Sequence, residues 1–210
     1  MSEYSFKEAV CQETLACYSE KLFAGTSGNL SCYDRANGLI YITPGSYPYE
    51  IMKPEDIMVI DIDGNVVEGP HKPSSEWRLH TWIYKKMPQV NAVVHTHSPY
   101  ATSFAVVHKT IPVILIEMVP FIGGDVPVAD FGVPGTDRVG ETAAETLIEH
   151  ERNACLMANH GVVAVGDSLP RAHVRATYVE DAATIYHHAV TTGMDIHLIS
   201  EEDIALMKKR

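Results

Sequence analysis

Apolar residues recur along this 210-residue chain with two spacings, one typical of amphipathic helices and one typical of strands. Helical spacing runs through residues 4–23, up to a glycine-rich segment that ends it. Ser74 or Ser75 is expected to cap a second helix, which ends near Lys86. The other predicted helices lie near 99–108, from a Thr136 cap through His150, from Ser168 to about Val190, and directly after Ser200.

Short β-branched and apolar runs between these helices predict strands. Several of them are too close together in the sequence for a helix to connect them, which favours antiparallel pairing. The sequence therefore predicts one α/β domain over residues 1–210, with three layers: a central mixed, mostly antiparallel sheet flanked by helices. The predicted strands are 29–33, 38–42, 57–62, 91–97, 111–117, 154–158 and 161–165.

Acidic side chains outnumber basic ones, 27 Asp and Glu against 16 Lys and Arg, and the formal net charge is −11. This balance argues against nucleic acid or an anionic membrane surface as a partner. The longest apolar run, 111–122, is interrupted by Pro112, Glu117 and Pro120 and is too short to cross a bilayer.

The cysteines show no Cys-x-x-Cys spacing, so we expect reduced and mostly buried thiols. Charged residues precede the first apolar stretch, and no secretory signal is predicted. Together these features predict a cytoplasmic protein. The four cysteines are Cys11, Cys17, Cys32 and Cys155.

The segment VVHTHS (93–98) carries the most specific chemical signal. Side chains of a strand alternate between its faces, so His95 and His97 leave the same face at the end of a buried strand. Two imidazoles held together in this way suit a divalent transition metal. Glu76 upstream and His160 downstream would complete a first shell of one carboxylate and three histidines.

A lone histidine beside a strand is more often a hydrogen-bonded structural residue than a ligand. The remaining eight histidines are interpreted as structural or solvated on that basis. They are His71, His80, His108, His150, His173, His187, His188 and His197.

Three segments are rich in small polar residues, two of them with a glycine, and together they could hold a phosphate without Lys or Arg. Glycines let backbone N–H groups turn inward, and a helix beginning near residue 74 adds its N-terminal partial charge. Ser75 adjoins Glu76, which would place the anion one residue from the metal. The predicted phosphate-binding residues are Gly28, Asn29, Gly45, Ser46, Ser74 and Ser75.

At these residues the chain resembles the class II aldolase and adducin head family, and within it the L-fuculose-1-phosphate aldolases. The matching segments follow the order of the family and cover nearly the whole chain. They are GTSGNLS (25–31), ITPGSYPYE (42–50), KPSSEWRLH (72–80), NAVVHTHSPYAT (91–102), GGDVPVA (123–129), GT (135–136), ANHGVV (158–163) and LISEED (198–203).

The resemblance implies zinc, or Mn²⁺ or another divalent metal, bound by Glu76, His95, His97 and His160. It implies that the six residues above contact a substrate phosphate. In the reaction we expect substrate to displace Glu76 from the metal, so that Glu76 then acts as the base. The resemblance further implies a homotetramer with active sites at subunit interfaces. The implied reaction is reversible cleavage of L-fuculose 1-phosphate to dihydroxyacetone phosphate and L-lactaldehyde.

One position departs from the family. Where fuculose-phosphate aldolases carry a catalytic tyrosine from across the interface, this chain has Ile116 followed by Glu117. Methylthioribulose-1-phosphate dehydratases have a catalytic Glu-Met there but lack the Ser-Ser-Glu segment that this chain keeps. Glu117 is therefore the candidate for the C4 hydroxyl proton, with Tyr100 as another interface candidate.

The sequence leaves four alternative functions open. Three are enzymes: an aldolase for a related deoxypentulose or pentulose phosphate, a methylthioribulose-1-phosphate dehydratase, and a metal-dependent 4-epimerase of ribulose phosphate. The fourth is a metal-free interaction module of the adducin type, which predicts missing ligands.

Overall fold

A computed structural model describes residues 3–209, with side chains from Ser5 onwards, so Met1, Ser2 and Arg210 of the predicted domain lie outside the described residues. The helices are α1 (Glu3–Ser19), α2 (Trp77–Lys86), α3 (Pro99–Val106), α4 (Met118–Ile122), α5 (Asp137–Glu149), α6 (Leu169–Thr191) and α7 (Glu201–Met207). The strands are β1 (Asn29–Asp34), β2 (Leu39–Ile42), β3 (Met58–Asp61), β4 (Val66–Glu68), β5 (Ala92–Thr96), β6 (Val128–Ala129), β7 (Ala154–Met157) and β8 (Gly161–Gly166).

All eight strands form one sheet, in the order β4-β3-β2-β1-β5-β8-β7-β6. Every neighbouring pair is antiparallel except β6 and β7, which are parallel. The register pairs Asn29 of β1 with His95 of β5, and Thr96 of β5 with Val162 of β8. Residues distant in sequence therefore meet at one end of the three central strands.

Each face of the sheet is covered by helices, and each has its own apolar core. Neighbouring residues of β5 show the alternation: Val94 packs into the core under α1, α3 and α6, whereas Val93 packs into the core under α2 and α5. The prediction of a three-layer α/β domain with a mixed, mostly antiparallel sheet is confirmed. Within residues 3–209, no helix combines the length and the apolar character needed to cross a membrane.

The predicted strand over 111–117 is wrong. Only Ile111 makes an isolated bridge, to Val126, and the end of the apolar run forms the short helix α4. Pro112 offers no N–H to a strand neighbour, and short apolar runs do not distinguish a strand from a buried helix by periodicity. Strands β4 and β6 were not predicted, since they have only three and two residues.

Two predicted helix caps are also corrected. Helix α2 begins at Trp77, and Glu76 occupies its N-cap position rather than its first turn. Ser74 belongs to the preceding turn, where its carbonyl accepts the Trp77 N–H at 3.1 Å. Thr136 stands at the N-cap of α5, but its hydroxyl donates to the Val133 carbonyl at 2.7 Å instead of capping the helix.

Candidate metal centre and adjacent cleft

Four potential ligands converge where the central strands end. His95 lies in β5, His97 follows that strand, Glu76 precedes α2, and His160 lies in the turn between β7 and β8. One ligand atom from each residue lies within 4.8 Å of all the others. The structure thus brings together all four residues that the sequence proposed as ligands.

Not all of their closest contacts are hydrogen bonds. His95 Nε2 lies 3.0 Å from His97 Nε2 and 3.1 Å from Glu76 Oε2. His160 Nε2 lies 2.9 Å from Glu76 Oε1, yet that buried oxygen has no aligned hydrogen-bond partner among the described residues. Ligand atoms that are close but not aligned with each other are what a shared cation between them would require.

The orientation of His95 is fixed by a second contact. Its Nδ1 lies 2.8 Å from the Val162 carbonyl oxygen, which has no hydrogen, so Nδ1–H is the donor. The Nε2 lone pair of a neutral His95 then points into the cluster, the arrangement found for metal-ligating histidines. With three imidazoles and one carboxylate, the donor set fits a divalent transition metal.

The clustering of these side chains also shifts their pKa values. Burial alone would raise the pKa of the Glu76 carboxyl, but the adjacent His95 and His160 outweigh it and hold that pKa far below its ordinary value. Burial together with His95 and His160 lowers the pKa of His97 to about 4. At neutral pH, Glu76 is therefore ionised and His97 has a lone pair available. Burial alone would lower the pKa of His95, but Glu76 and the Val162 carbonyl outweigh it and raise that pKa, so metal binding would displace a proton from that ring.

A second shell of buried polar residues lies behind Glu76. The Asn29 amide Nδ2 donates to Glu76 Oε2 at 2.8 Å, and Asn29 Oδ1 lies 2.5 Å from His80 Nε2. His80 was interpreted from the sequence only as structural or solvated. A signal was available, because Glu76 and His80 are four residues apart where a helix begins, a spacing that places side chains near each other.

A cleft of about 350 Å³ opens directly beside the ligand cluster. Its lining includes Glu76, His97 and His160, but no Lys or Arg among the described residues. All six residues predicted to bind phosphate also line it: Gly28, Asn29, Gly45, Ser46, Ser74 and Ser75.

Existing hydrogen bonds limit which donor groups Gly45 and Ser74 can offer to an anion. The Gly45 N–H donates to the Lys72 carbonyl, and the Ser74 N–H donates to the Thr43 carbonyl, each at 3.0 Å. These amides join two loops and are not free donors. Ser74 Oγ accepts from the Glu76 N–H at 3.2 Å, so its hydroxyl hydrogen remains available.

The loop that carries Gly28 is held from behind by two aromatic residues. Tyr49 donates its hydroxyl to the Gly28 carbonyl at 2.7 Å. Gly28 has a φ of +108°, and a Cβ there would lie 2.5 Å from the Phe23 ring. Only glycine fits this position without displacing that ring.

The residues considered for the C4 hydroxyl proton lie elsewhere in the chain. Glu117 stands at the N-cap of α4 and does not line the cleft. The Tyr100 N–H donates to the Glu180 carboxylate at 3.0 Å, and its ring lies against His187 and His188. Within one described chain, neither side chain lines the cleft beside Glu76.

Comparison with known proteins adds family information to this geometry. A family model described as Class II Aldolase and Adducin N-terminal domain matches residues 8–187. A 5-deoxy-D-ribulose 1-phosphate aldolase from Bacillus thuringiensis serovar kurstaki is 34% identical over 204 residues, covering 95% of this chain and 94% of that protein.

Two further similar proteins are also named as aldolases of sugar phosphates. A 5-methylthioribulose-1-phosphate/5-deoxyribulose-1-phosphate aldolase from Rhodospirillum rubrum is 38% identical over 162 residues, covering 77% of this chain and 71% of that protein. A solved L-fuculose 1-phosphate aldolase superimposes with a TM-score of 0.91 at 35% identity, covering 98% of this chain and 95% of that one.

Proposed function

We propose that this chain, which belongs to the family of class II aldolases and adducin N-terminal domains, reversibly cleaves a ketose 1-phosphate. The products would be dihydroxyacetone phosphate and a short aldehyde. The observation that carries this proposal is the meeting of Glu76, His95, His97 and His160 beside a cleft lined with hydroxyl groups. That juxtaposition offers a cation and an anion site within reach of one small substrate.

Glu76, His95, His97 and His160 would hold one divalent cation, with zinc as the first candidate and Mn²⁺ as the alternative. When bound, the cation supplies Lewis-acid stabilisation of the negative charge that develops on oxygen as the carbon–carbon bond breaks. The buried, ionised Glu76 and the neutral His97 support this assignment. A metal-free interaction module would have no need for this donor set.

The substrate phosphate would lie in the adjacent cleft. Ser46, Ser74 and Ser75 contribute hydroxyl groups there, and Asn29 contributes an amide. Gly45 allows its loop to approach the Pro73 backbone closely, and Gly28 allows its loop to pack against the Phe23 ring. The N-terminus of the ten-residue helix α2 begins two residues after Ser75 and adds a favourable partial positive charge.

Glu76 would accept the proton from C3 of the dihydroxyacetone phosphate fragment in one direction and return it in the other. In the direction of synthesis its carboxylate takes that proton, and the electron pair forms the C3–C4 bond to the aldehyde. In cleavage the C4 hydroxyl loses its proton, the C3–C4 bond breaks, the aldehyde leaves, and C3 regains a proton from Glu76. We propose Glu117 of a neighbouring subunit as the acceptor of the C4 hydroxyl proton.

That assignment requires the chain to assemble, and we propose a cytoplasmic homotetramer with sites at the subunit interfaces. Large apolar side chains exposed near the cleft support an interface there. Phe131 and Val133, which precede the cleft residue Pro134, are 53% and 56% exposed. Ile116, beside Glu117, is 64% exposed.

For the sugar, we propose a deoxyketose 1-phosphate that releases a short aldehyde ending in a methyl group. L-Fuculose 1-phosphate and 5-deoxyribulose 1-phosphate share this chemistry, and relatives named for each are about equally similar to this chain. The first would release lactaldehyde and the second acetaldehyde.

The decisive experiment incubates zinc-loaded protein with each candidate ketose 1-phosphate and traps dihydroxyacetone phosphate with a coupled dehydrogenase. We expect dihydroxyacetone phosphate and aldehyde in equal amounts from at least one deoxyketose 1-phosphate, and no lactaldehyde from unphosphorylated fuculose. Consumption of 5-methylthioribulose 1-phosphate without dihydroxyacetone phosphate would instead identify a dehydratase, the alternative that Glu117 suggests. Epimerised pentulose phosphate without cleavage would identify an epimerase.

A further inference from the structure

A chain of buried hydrogen bonds runs from Glu76 into the layer under α2. Its members beyond Asn29 are His80, Ser31 and Tyr84, each at most 1% exposed. His80 Nε2 lies 2.5 Å from Asn29 Oδ1, and His80 Nδ1 lies 2.6 Å from Ser31 Oγ. Ser31 Oγ in turn lies 2.7 Å from the Tyr84 hydroxyl.

The direction of each bond in this chain follows from its chemistry. Asn29 Nδ2 lies 2.8 Å from Glu76 Oε2 and Asn29 Oδ1 lies 2.5 Å from His80 Nε2, so the amide presents its NH₂ to the carboxyl group and its oxygen to the imidazole ring. Asn29 Oδ1 is an acceptor, which places the hydrogen of His80 on Nε2. The opposite amide orientation would set an amide oxygen 2.8 Å from a carboxylate oxygen.

The hydrogen bonds at the Tyr84 end of this series complete the assignment of donors and acceptors. Burial, with a smaller effect of His95, lowers the pKa of His80 to about 3, so its ring is neutral and Nδ1 accepts the Ser31 hydroxyl hydrogen. The Tyr84 hydroxyl then donates to Ser31, whose carbonyl oxygen is also within 3.1 Å. Every hydrogen bond in the series points one way, toward Glu76.

This arrangement orients groups rather than conducting protons. A carboxamide between His80 and Glu76 passes a proton only through its unfavourable imidic acid form. The amide does respond to its partner, however, because the hydrogen on His80 Nε2 decides which end of Asn29 faces the carboxylate. Buried networks in which each member is satisfied hold one geometry.

We infer that His80 is a positioning residue, which acts on Glu76 through Asn29 by holding the amide NH₂ toward the carboxylate. This inference rests on the proposed function, in which Glu76 handles the substrate proton. His80 is not one of the four candidate ligands and does not line the cleft, so its substitution removes neither a histidine ligand nor a phosphate hydroxyl.

Steady-state kinetics on four zinc-loaded variants test the inference. His80→Leu removes the donor and is expected to lower kcat about 10-fold, the scale of outer-shell changes at metal sites, with metal content kept and a smaller change in KM. His80→Gln restores a donor near the position of Nε2 and should recover most of kcat. In an Asn29→Ala background, His80→Leu should cause no further loss.

Thr14→Val is the matched control, because it removes another fully buried hydrogen bond, from Thr14 Oγ1 to the Val10 carbonyl in α1. It should leave kcat unchanged. Equal losses in His80→Leu and His80→Gln, or additive losses in the Asn29→Ala background, would overturn the inference.

Crystal structures of the wild type and the two His80 variants provide a readout that does not need turnover. The Asn29–Glu76 contact should persist in His80→Gln and be lost in His80→Leu. An unchanged contact in His80→Leu would refute the positioning role. Absence of dihydroxyacetone phosphate from wild type would refute the proposed function, while these structures would still decide the role of His80.

Discussion

Two of the histidine–carboxylate clusters among the described residues differ in where the imidazole nitrogens point. In the cluster of Glu76, His95, His97 and His160, four donor atoms face one another within 4.8 Å. In the second cluster, between α1 and α6, the single ring of His173 faces Glu13 through Nδ1 at 2.6 Å and Glu20 through Nε2 at 3.1 Å.

The second cluster leaves no lone pair for a metal. A carboxylate only accepts hydrogen bonds, so His173 must carry a hydrogen on both nitrogens and is a cation. Contacts with the Cys17 sulfur and with Glu13 accordingly raise the pKa of His173. Histidine beside a carboxylate is thus an ion pair in one place and a candidate ligand in the other, and the partner of the second nitrogen separates the two cases.

The largest effect is expected from removing one ligand of the first cluster. His160→Ala removes one of three nitrogen donors and should lower zinc affinity by about 100-fold or more, so that purified protein loses its metal. His173→Gln should retain one zinc per chain. Elemental analysis of both variants checks this, and one zinc per chain in His160→Ala would remove that residue from the ligand set.

Glu76→Gln separates binding from chemistry within the same cluster. The amide keeps an oxygen donor but cannot take up a proton, so we expect retained metal and a loss of turnover of about 10²–10⁴-fold. Measuring kcat alongside zinc content checks this prediction. A variant with near-normal kcat would exclude Glu76 as the base.

The cleft beside the first cluster predicts a smaller, selective effect. Ser75→Ala removes one hydroxyl from the anion site and should raise KM for a phosphorylated substrate roughly 10-fold, the loss of one hydrogen bond to a charged group, with little change in kcat. Ser103→Ala is a suitable control, because the Ser103 hydroxyl donates to the Tyr100 carbonyl on an exposed face of α3. Equal KM values in the two variants would contradict the phosphate assignment.

The smallest effect concerns stability and its pH dependence at the second cluster. A pKa raised on folding stabilises the protein fully below the unfolded value and less as the pH rises through the folded value. His173→Gln should therefore lower the free energy of unfolding by about 2 kcal/mol at pH 6 and by less at pH 9. Denaturant unfolding at both pH values checks this, and a cost that grows with pH would contradict the ion pair.

The ligand cluster could be predicted from the sequence because side-chain alternation and short local segments indicated its residues. Alternation in VVHTHS placed His95 and His97 on one face of a strand that is indeed buried. Glu76 and His160 followed from their segments in the family resemblance. The three-layer sheet was predictable as well, since strands and helices were interspersed along the chain.

What the sequence could not show depends on contacts between distant residues. The pairing of Asn29 with His95 spans 66 positions, and the contact of Asn29 with His80 spans 51. No local spacing encodes either one. Helix α4 was not predicted, because its five residues, MVPFI, are too few to show a helical period.

An anomalous difference map from a crystal of zinc-loaded protein, recorded at the zinc absorption edge, tests the four-residue metal site directly. We expect one strong peak per chain, in contact with Glu76, His95, His97 and His160. A peak beside Glu13 and His173, or one that touches only His95 and His97, would contradict this assignment.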